Sequence, residues 1–131
     1  MTQKPPPVRV VVLNYNGAGR IEECLKSLTE TKYPDLRITV VDNASTDDSV
    51  GRVRQEFPSV EVIANSQNVG FSRGNNQALR MANEPYVGLL NPDTIVDPDW
   101  LKPLVDRLTE DSSVGGVAPK LLHLHDRLPI R

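Results

Sequence analysis

The run Val8-Arg9-Val10-Val11-Val12-Leu13 constrains the fold of this chain more than any other stretch. It is almost continuously apolar and β-branched, the pattern of a strand buried on both faces, and such a strand needs helices above and below it. The sequence supplies them in alternation. Between Gly17 and Thr31, the residues Ile21, Cys24, Leu25 and Leu28 fall at helical spacing, and Tyr33-Pro34 ends the pattern. Residues 36–41 predict a second strand. Ser45-Thr46-Asp47-Asp48 predicts a helix start with acids in its first turn, and that helix stops at Phe57-Pro58. Residues 60–64 alternate as a third strand near the sheet edge, residues 72–82 predict a helix, and residues 86–90 a fourth strand. Asp97-Pro98 predicts an N-cap followed by proline at the first helical position. Leu101, Leu104, Val105 and Leu108 mark one face of that helix, and Pro103 predicts a bent first turn. Residues 114–122 are expected to form a fifth strand.

This alternation implies an α/β fold, a three-layer α/β/α arrangement around a mainly parallel, Rossmann-like sheet with right-handed crossovers. At 131 residues the chain fits one domain, large enough to bury roughly two thirds of its unfolded surface. The domain is expected over residues 8–131, behind a proline-marked mobile leader at residues 1–7. A net charge of −2 leaves no bulk basic surface, which argues against nucleic acid or an anionic membrane as a partner. With one cysteine, Cys24, no internal disulfide can form, and a reducing, cytoplasmic compartment fits. Cys24 lies on the apolar stripe of its helix and reads as a buried structural thiol. The amino terminus lacks the apolar core of a signal peptide, and no apolar run reaches the length of a membrane span.

In an open parallel sheet, ligands bind outside the carboxyl ends of the strands. Each of the first four expected strands delivers Asn or Asp to that edge: Asn14-Tyr15-Asn16-Gly17, Asp42-Asn43, Asn65 with Asn68 and Gly70 behind it, and Asn91-Pro92-Asp93. Turn chemistry accounts for any one of these. Two acids at separate strand ends among several amides suit a polar, hydroxyl-rich ligand. They also leave a carboxylate free for Mg²⁺ or Mn²⁺ held jointly with substrate phosphates. The loop Asn68-Val-Gly70-Phe-Ser-Arg73-Gly74-Asn75-Asn76 precedes a helix whose first amides would face phosphate, with Arg73 beside them. His123 and His125 have no third ligand nearby in sequence and read as surface or packing residues.

Five segments in order, VVVLNYNG, CLKSL before Tyr-Pro, ITVVDNASTDDS, NVGFSRGNNQAL and YVGLLNPDTIVDPDWL, resemble the inverting family-2 glycosyltransferases of the nucleotide-diphospho-sugar transferase (GT-A) fold. The likeness spans about residues 8–122, and the NPDT variant with the GFSRGNN loop is most similar to the rhamnosyltransferase-like branch. The resemblance implies that Leu13, Asn14 and Tyr15 border the nucleoside and that Asp42 accepts a hydrogen bond from the base. Asn68, Gly70, Arg73 and Asn75 would line the nucleotide and sugar pocket. Asp93 matches the last acid of the family's Asp-x-Asp motif, the ligand of a divalent cation, Mg²⁺ or Mn²⁺, and Asn91 stands where many members carry the first. It further implies hexosyl transfer in polysaccharide biosynthesis, from a UDP- or dTDP-sugar to a glycan or lipid-linked acceptor. The expected setting is cytoplasmic, peripheral to the inner face of the membrane in a longer protein. The family's general base lies in the second half of the domain, beyond Arg131. The chain is therefore expected to be a truncated donor-binding part, inactive or weakly active alone.

Two other readings stand beside this one. Gly17-Ala-Gly19 follows a buried strand and opens a helix as in a NAD-type dinucleotide-binding domain, although Glu22 occupies the place of the third glycine. A non-catalytic binding module on the GT-A fold is the other, since a fold does not secure a function.

Overall fold

The computed structural model describes residues 3–130. Four strands and four helices alternate: β1 (Val8–Asn14), α1 (Arg20–Thr29), β2 (Leu36–Asp42), α2 (Ser49–Glu56), β3 (Glu61–Ala64), α3 (Phe71–Met81), β4 (Tyr86–Leu90) and α4 (Leu101–Glu110). The strands form one parallel sheet in the order β3-β2-β1-β4. The chain thus steps outward from β1 to β2 and β3, then returns to place β4 on the other side of β1. The order reverses between β1 and β4, and the crevice at that point opens at their carboxyl ends.

The expected three layers are present. On one face Val8, Val10 and Val12 of β1 and Val40 of β2 pack with Ile21, Cys24, Leu25 and Leu28 of α1, Val53 of α2, and Leu101 and Val105 of α4. On the other face Val11 and Val41 meet Ala78 of α3. The second layer is thin, and Leu89 of β4 remains about half exposed there. β1 is buried along its length, as its apolar run requires. Phe57 closes α2 outside helical geometry (φ −127°, ψ 66°) because Pro58 disfavours the helical region at the residue before it. Residues 5–7 lie half-buried, and the Pro6 carbonyl accepts from the Tyr33 hydroxyl. Met1, Thr2 and Arg131 fall outside the described residues.

Four sequence expectations are corrected. Residues 114–122 form no fifth strand; the only pairing there is an isolated antiparallel bridge between Leu122 and Pro129. Gly115-Gly116 carry a high entropic cost in a strand, and Pro119 has no N–H for a ladder. Secondly, α2 begins at Ser49, so Asp47 and Asp48 precede its first turn. Thirdly, α4 begins at Leu101, not at Pro98. Asp97-Pro98-Asp99-Trp100 is instead a β-turn, closed by the Trp100 amide donating to the Asp97 carbonyl at 3.1 Å. Lastly, Pro103 causes no interruption. It occupies the third helical position, where the N–H would have no intrahelical partner in any case.

Candidate functional site

The site is set by register. Asn14, the last residue of β1, is paired with Asp42, the last residue of β2, and Asp42 with Ala64 of β3. Parallel neighbours in register point to the same face, so the Asn14 amide meets the Asp42 carboxylate directly: Nδ2 donates to Oδ1 at 2.8 Å. Both side chains are buried. Asn14 Nδ2 also donates to Ser49 Oγ at 2.9 Å, and lies 3.3 Å from Ser45 Oγ. Asp42 Oδ1 accepts a second bond from Ser45 Oγ, and Oδ2 accepts the Ser45 amide at 3.0 Å, which leaves acceptor capacity on Oδ2. Asn14 Oδ1 is buried without a partner among the described residues. It faces Gly17, where an added Cβ would come within 2.2 Å of it.

The loops after β1 and β2 are latched across this pair. Asn16 takes a left-handed conformation (φ 50°), and its Oδ1 accepts the Thr46 amide at 2.8 Å while its own amide donates to Ser45 Oγ at 2.9 Å. Ala44 is also left-handed (φ 60°), a strained geometry for a residue with a Cβ, at the corner between Asp42 and Ser45. Asp47 accepts from the Ala18 amide, and its carboxyl is held below the usual range, chiefly by the hydrogen bond from the Ser49 hydroxyl. These carboxylates occupy the place a pyrophosphate would take in a dinucleotide-binding turn. Asp47 covers the Ala18 amide, and Glu22 Oε2 accepts the Gly19 amide at 2.6 Å. The start of α1 is closed to an anion.

The start of α3 is different. Gly70, at φ 83°, hands the chain into the helix, and no side chain caps its first amides. An amide network fixes the approach: Asn43 Nδ2 donates to the Gly70 carbonyl at 3.1 Å, Asn65 Nδ2 donates to Asn43 Oδ1 at 3.1 Å, and Asn65 and Gln77 exchange two bonds. Gly74 presses on Leu13, whose Cδ1 would lie 2.6 Å from an added Cβ, so the helix backbone rides close over the end of β1. Arg73 and Asn68 are exposed, with Asn68 Oδ1 accepting the Gly70 amide at 2.9 Å. Asn75 is buried and donates to the Phe71 carbonyl within its own helix.

On the other side of β1, β4 ends at Leu90 and a turn follows, closed by the Thr94 amide donating to the Asn91 carbonyl at 3.2 Å. Pro92 and Asp93 are its central residues, and Asn91 and Asp93 are exposed. Tyr15 is also exposed. The structure therefore joins Asn14 to Asp42 and sets Leu13 against α3. Asn68, Gly70 and Arg73 share one loop, and Asn91 with Asp93 lies across the switch point from Asp42. Ser45, which donates twice to Asp42, and Ser49, which accepts from Asn14, escaped sequence reasoning because serines near a helix start read as caps. No group of three or more His, Cys, Asp or Glu residues gathers to form a metal cage among the described residues. A cavity of about 310 Å³ lies at the opposite, amino-terminal edge of the sheet, between Arg37 and Glu61, away from these residues. No helix among the described residues is long and apolar enough to cross a membrane.

The chain is similar to a mannosyltransferase of Pyrobaculum calidifontis, PcManGT, whose structure is of a complex with GDP-Man and Mn²⁺. The TM-score is 0.83 at 32% identity, over 92% of this chain and 37% of that one. TarS of S. aureus superposes with a TM-score of 0.72 at 27% identity, over 79% of this chain and 20% of that one. Among curated proteins, Escherichia coli chondroitin synthase is 27% identical over 88% of this chain, and a Bacillus subtilis protein described as a putative teichuronic acid biosynthesis glycosyltransferase, TuaG, is 26% identical over 99%. The chain spans only 17% and 53% of the lengths of those two relatives. These structures share its parallel α/β architecture, the GT-A fold. The family model described as glycosyl transferase family 2 matches residues 9–120, from the second residue of β1 to past α4, and the chain belongs to that family.

Proposed function

We propose that this chain forms the donor site of an inverting glycosyltransferase, with a nucleotide-diphospho-sugar lying along the carboxyl edge of the sheet. The observation that carries this reading is the Asn14–Asp42 pair, held in register and buried, beside the exposed carboxylate Asp93 across the switch point. Asp42 would accept the ring N–H of the base through Oδ2, with Leu13, Asn14 and Tyr15 bordering the nucleoside. The uncapped first turn of α3, with Arg73, Asn68, Gly70 and Asn75 around it, favours the diphosphate and sugar.

A divalent cation, Mg²⁺ or Mn²⁺, fits this donor set as an ion that arrives with its substrate. Asp93 offers one carboxylate and Asn91 an amide oxygen, and hard cations of this kind take one or two carboxylates together with phosphate oxygens. Such an ion, when bound, supplies charge neutralisation for the departing diphosphate. The protein's own part is to hold the donor so that an acceptor hydroxyl attacks the anomeric carbon opposite the leaving group. The new C–O bond forms as the bond to the diphosphate oxygen breaks, and the hydroxyl proton passes to a general base. Four of the acids after Asp93 hold local partners. Asp97 accepts the Asp99 amide, Asp99 pairs with Lys32, Asp106 with Lys102, and Asp111 holds Ser113. We assign the base to none of them. Sugar transfer by residues 1–131 alone is expected to be weak or absent.

The donor is proposed to be a UDP- or dTDP-sugar, as in the rhamnosyltransferase-like branch, and the acceptor a glycan or lipid-linked hydroxyl in polysaccharide assembly at the cytoplasmic side of a membrane. A thermal-shift panel of UDP, dTDP, GDP and CDP, each with and without Mn²⁺, tests the reading. Uracil, thymine and guanine present a ring N–H to Asp42, whereas N3 of cytosine is an acceptor, so CDP should stabilise the protein least. Mn²⁺ should enhance the shift, and Asp93→Ala should remove that enhancement. An equal response to all four nucleotides, indifferent to Asp93, would overturn the assignment.

A further inference from the structure

The segment from Asn91 to Trp100 carries Asp93 but contains no strand or helix. Two local turns shape it, Val96 and Trp100 pack against the first core layer, and its long-range hydrogen bonds run to α1 and the residues just beyond. The Cys24 thiol donates to the Asn91 carbonyl at 3.7 Å, a sulfur hydrogen bond into the turn that bears Asp93. Ser27 Oγ, buried, donates to the Cys24 carbonyl at 2.7 Å and accepts the Val96 amide at 3.1 Å. Thr31 Oγ1 accepts the Trp100 indole N–H at 3.1 Å, and the Lys32 amide donates to the Pro98 carbonyl at 2.8 Å. Cys24 and Ser27 lie at i and i+3 on one face of α1, and Thr31, two residues past its end, continues the row. That row meets the segment at residues 91, 96 and 100.

We propose that the Cys24–Ser27–Thr31 row positions Asp93, so that α1, which contributes no residue to the donor pocket, sets where the cation-binding carboxylate stands. The inference rests on the donor-site reading above. Ser27 is the central member. Asp93 lies in an exposed turn whose own closing bond is one 3.2 Å contact, so its place relative to Asn14 and Asp42 depends on both ends of the segment being held. The near end is tied by β4 and Cys24. The far end is tied by Ser27 to Val96, three residues past the acid. A binding group displaced by even an ångström loses much of its effect on a ligand held elsewhere. Loss of the Ser27 acceptor frees the Val96 amide and lets the turn drift, while the Asn14–Asp42 pair, which shares no bond with Ser27, stays in place.

The test is calorimetric titration of UDP and GDP, in EDTA and in Mn²⁺, on the unaltered chain, Ser27→Ala, Ser27→Thr and Asp93→Ala, with hydrogen exchange at the Val96 amide as a readout that needs no ligand. The expected result for Ser27→Ala is about a fivefold or greater loss of the Mn²⁺-dependent tightening, an EDTA affinity within about twofold of the parent, and faster exchange at Val96. Ser27→Thr, which keeps the hydroxyl, restores the tightening. If Ser27→Ala weakens both affinities equally, or exchanges faster at Val96 with its Mn²⁺ response intact, the positioning role is overturned while the donor site stands. If Asp93→Ala keeps the Mn²⁺ response, or the unaltered chain binds neither nucleotide, the donor-site reading falls and this inference with it. Should Ser27→Ala fail to fold, Thr31→Val decides by the same two affinities, with a loss of about two- to threefold expected.

Discussion

Asn14 and Asp42 end adjacent parallel strands in exact register, and the amide of one is bonded to the carboxylate of the other at 2.8 Å. Asn14 is fully buried, and Asp42 keeps about 2% of its surface open at the ligand edge. The pair thus belongs to the fold and to the ligand edge together, and the residue that leaves room for it is Gly17. A methyl group there would overlap Asn14 Oδ1, whose neighbour distance of 2.2 Å leaves no space for ordinary contact. Gly17→Ala is expected to destabilise the protein by about 1–3 kcal/mol, as overpacking in a tight interior does. It should also weaken nucleotide binding, because Asn14 must turn away from Asp42. Gly51→Ala, on an exposed face of α2 with nothing within 4 Å, is the control and should be neutral or slightly stabilising. Urea unfolding monitored by circular dichroism, with the slope unchanged, measures both.

At the other end of the sheet, Arg9 interrupts the apolar run of β1 with a buried charge. Its Nε and Nη2 reach both oxygens of Glu84 at 2.8 and 2.9 Å, and Nη1 donates to Thr39 Oγ1 at 2.7 Å. The arginine hydrogen bonds hold the Glu84 carboxyl below the usual range. A carboxyl depressed in the folded state contributes stability that is present above its unfolded pKa, roughly 4.3, and is lost as pH falls through the lower folded value. Stability should therefore decline below about pH 4 more steeply in the parent than in Glu84→Gln. Arg9→Ala leaves Glu84 without its partner and should cost about 3 kcal/mol, the low end for a buried pair that loses one member. Arg9→Met should recover part of that loss when combined with Glu84→Gln. Chemical denaturation from pH 3 to pH 7 checks each outcome.

Cys24 packs wholly inside the first layer, and burial pushes its thiol up to about 12. The thiolate is the reactive form. The native protein should therefore react with an aromatic disulfide reagent at pH 8 only through unfolding, at a rate that tracks added urea. Rapid stoichiometric labelling without denaturant would contradict this packing. Alkaline conditions act in the expected direction: a thiol raised in the folded state favours folding below its unfolded pKa of roughly 8.5, and that contribution is lost as pH rises toward about 12.

What the sequence makes legible follows from how local each signal is. β1 is readable because a strand buried on both faces is apolar at nearly every position, and β2 and β4 show as shorter apolar runs although β4 lies at the sheet edge and is only partly buried. The false strand at residues 114–122 has apolar residues as well, but Gly115, Gly116 and Pro119 decide against a ladder. Asp97-Pro98 misplaces the start of α4 because the same dipeptide suits an N-cap and a β-turn, and the hydrogen bond between Trp100 and Asp97 selects the turn. Arg9 finds its partner 75 residues away, a pairing with no periodicity to reveal it. In the site, the strand-end residues Asn14, Asp42 and Asp93 are visible as breaks in apolar runs. Ser45, Ser49 and the row that begins on α1 are not, since their bonds to Asn14, Val96 and Trp100 span 31 to 69 residues with no periodicity to reveal them.

The amide network beside α3 is the clearest case of residues that look like turn formers and are more. Asn43, Asn65 and Gln77 come from the ends of β2 and β3 and from α3, and their bonds span 22 and 12 residues. Asn43 Nδ2 holds the carbonyl of Gly70, the residue whose left-handed backbone starts the helix. If these were turn residues only, Asn43→Ala would disturb the β2–α2 corner and nothing else. The network predicts instead that Asn43→Ala accelerates amide exchange across residues 68–72, which lie beyond β3, and weakens diphosphate-dependent nucleotide affinity more than nucleoside affinity. Asn65 and Gln77 exchange two hydrogen bonds at 2.8 and 2.9 Å, so their alanine variants should be non-additive, with a coupling of about 1 kcal/mol in a double-mutant cycle. Urea unfolding of the four proteins in that cycle measures the coupling. Strict additivity would mean the two amides contribute separately and the loop is held by Asn43 alone.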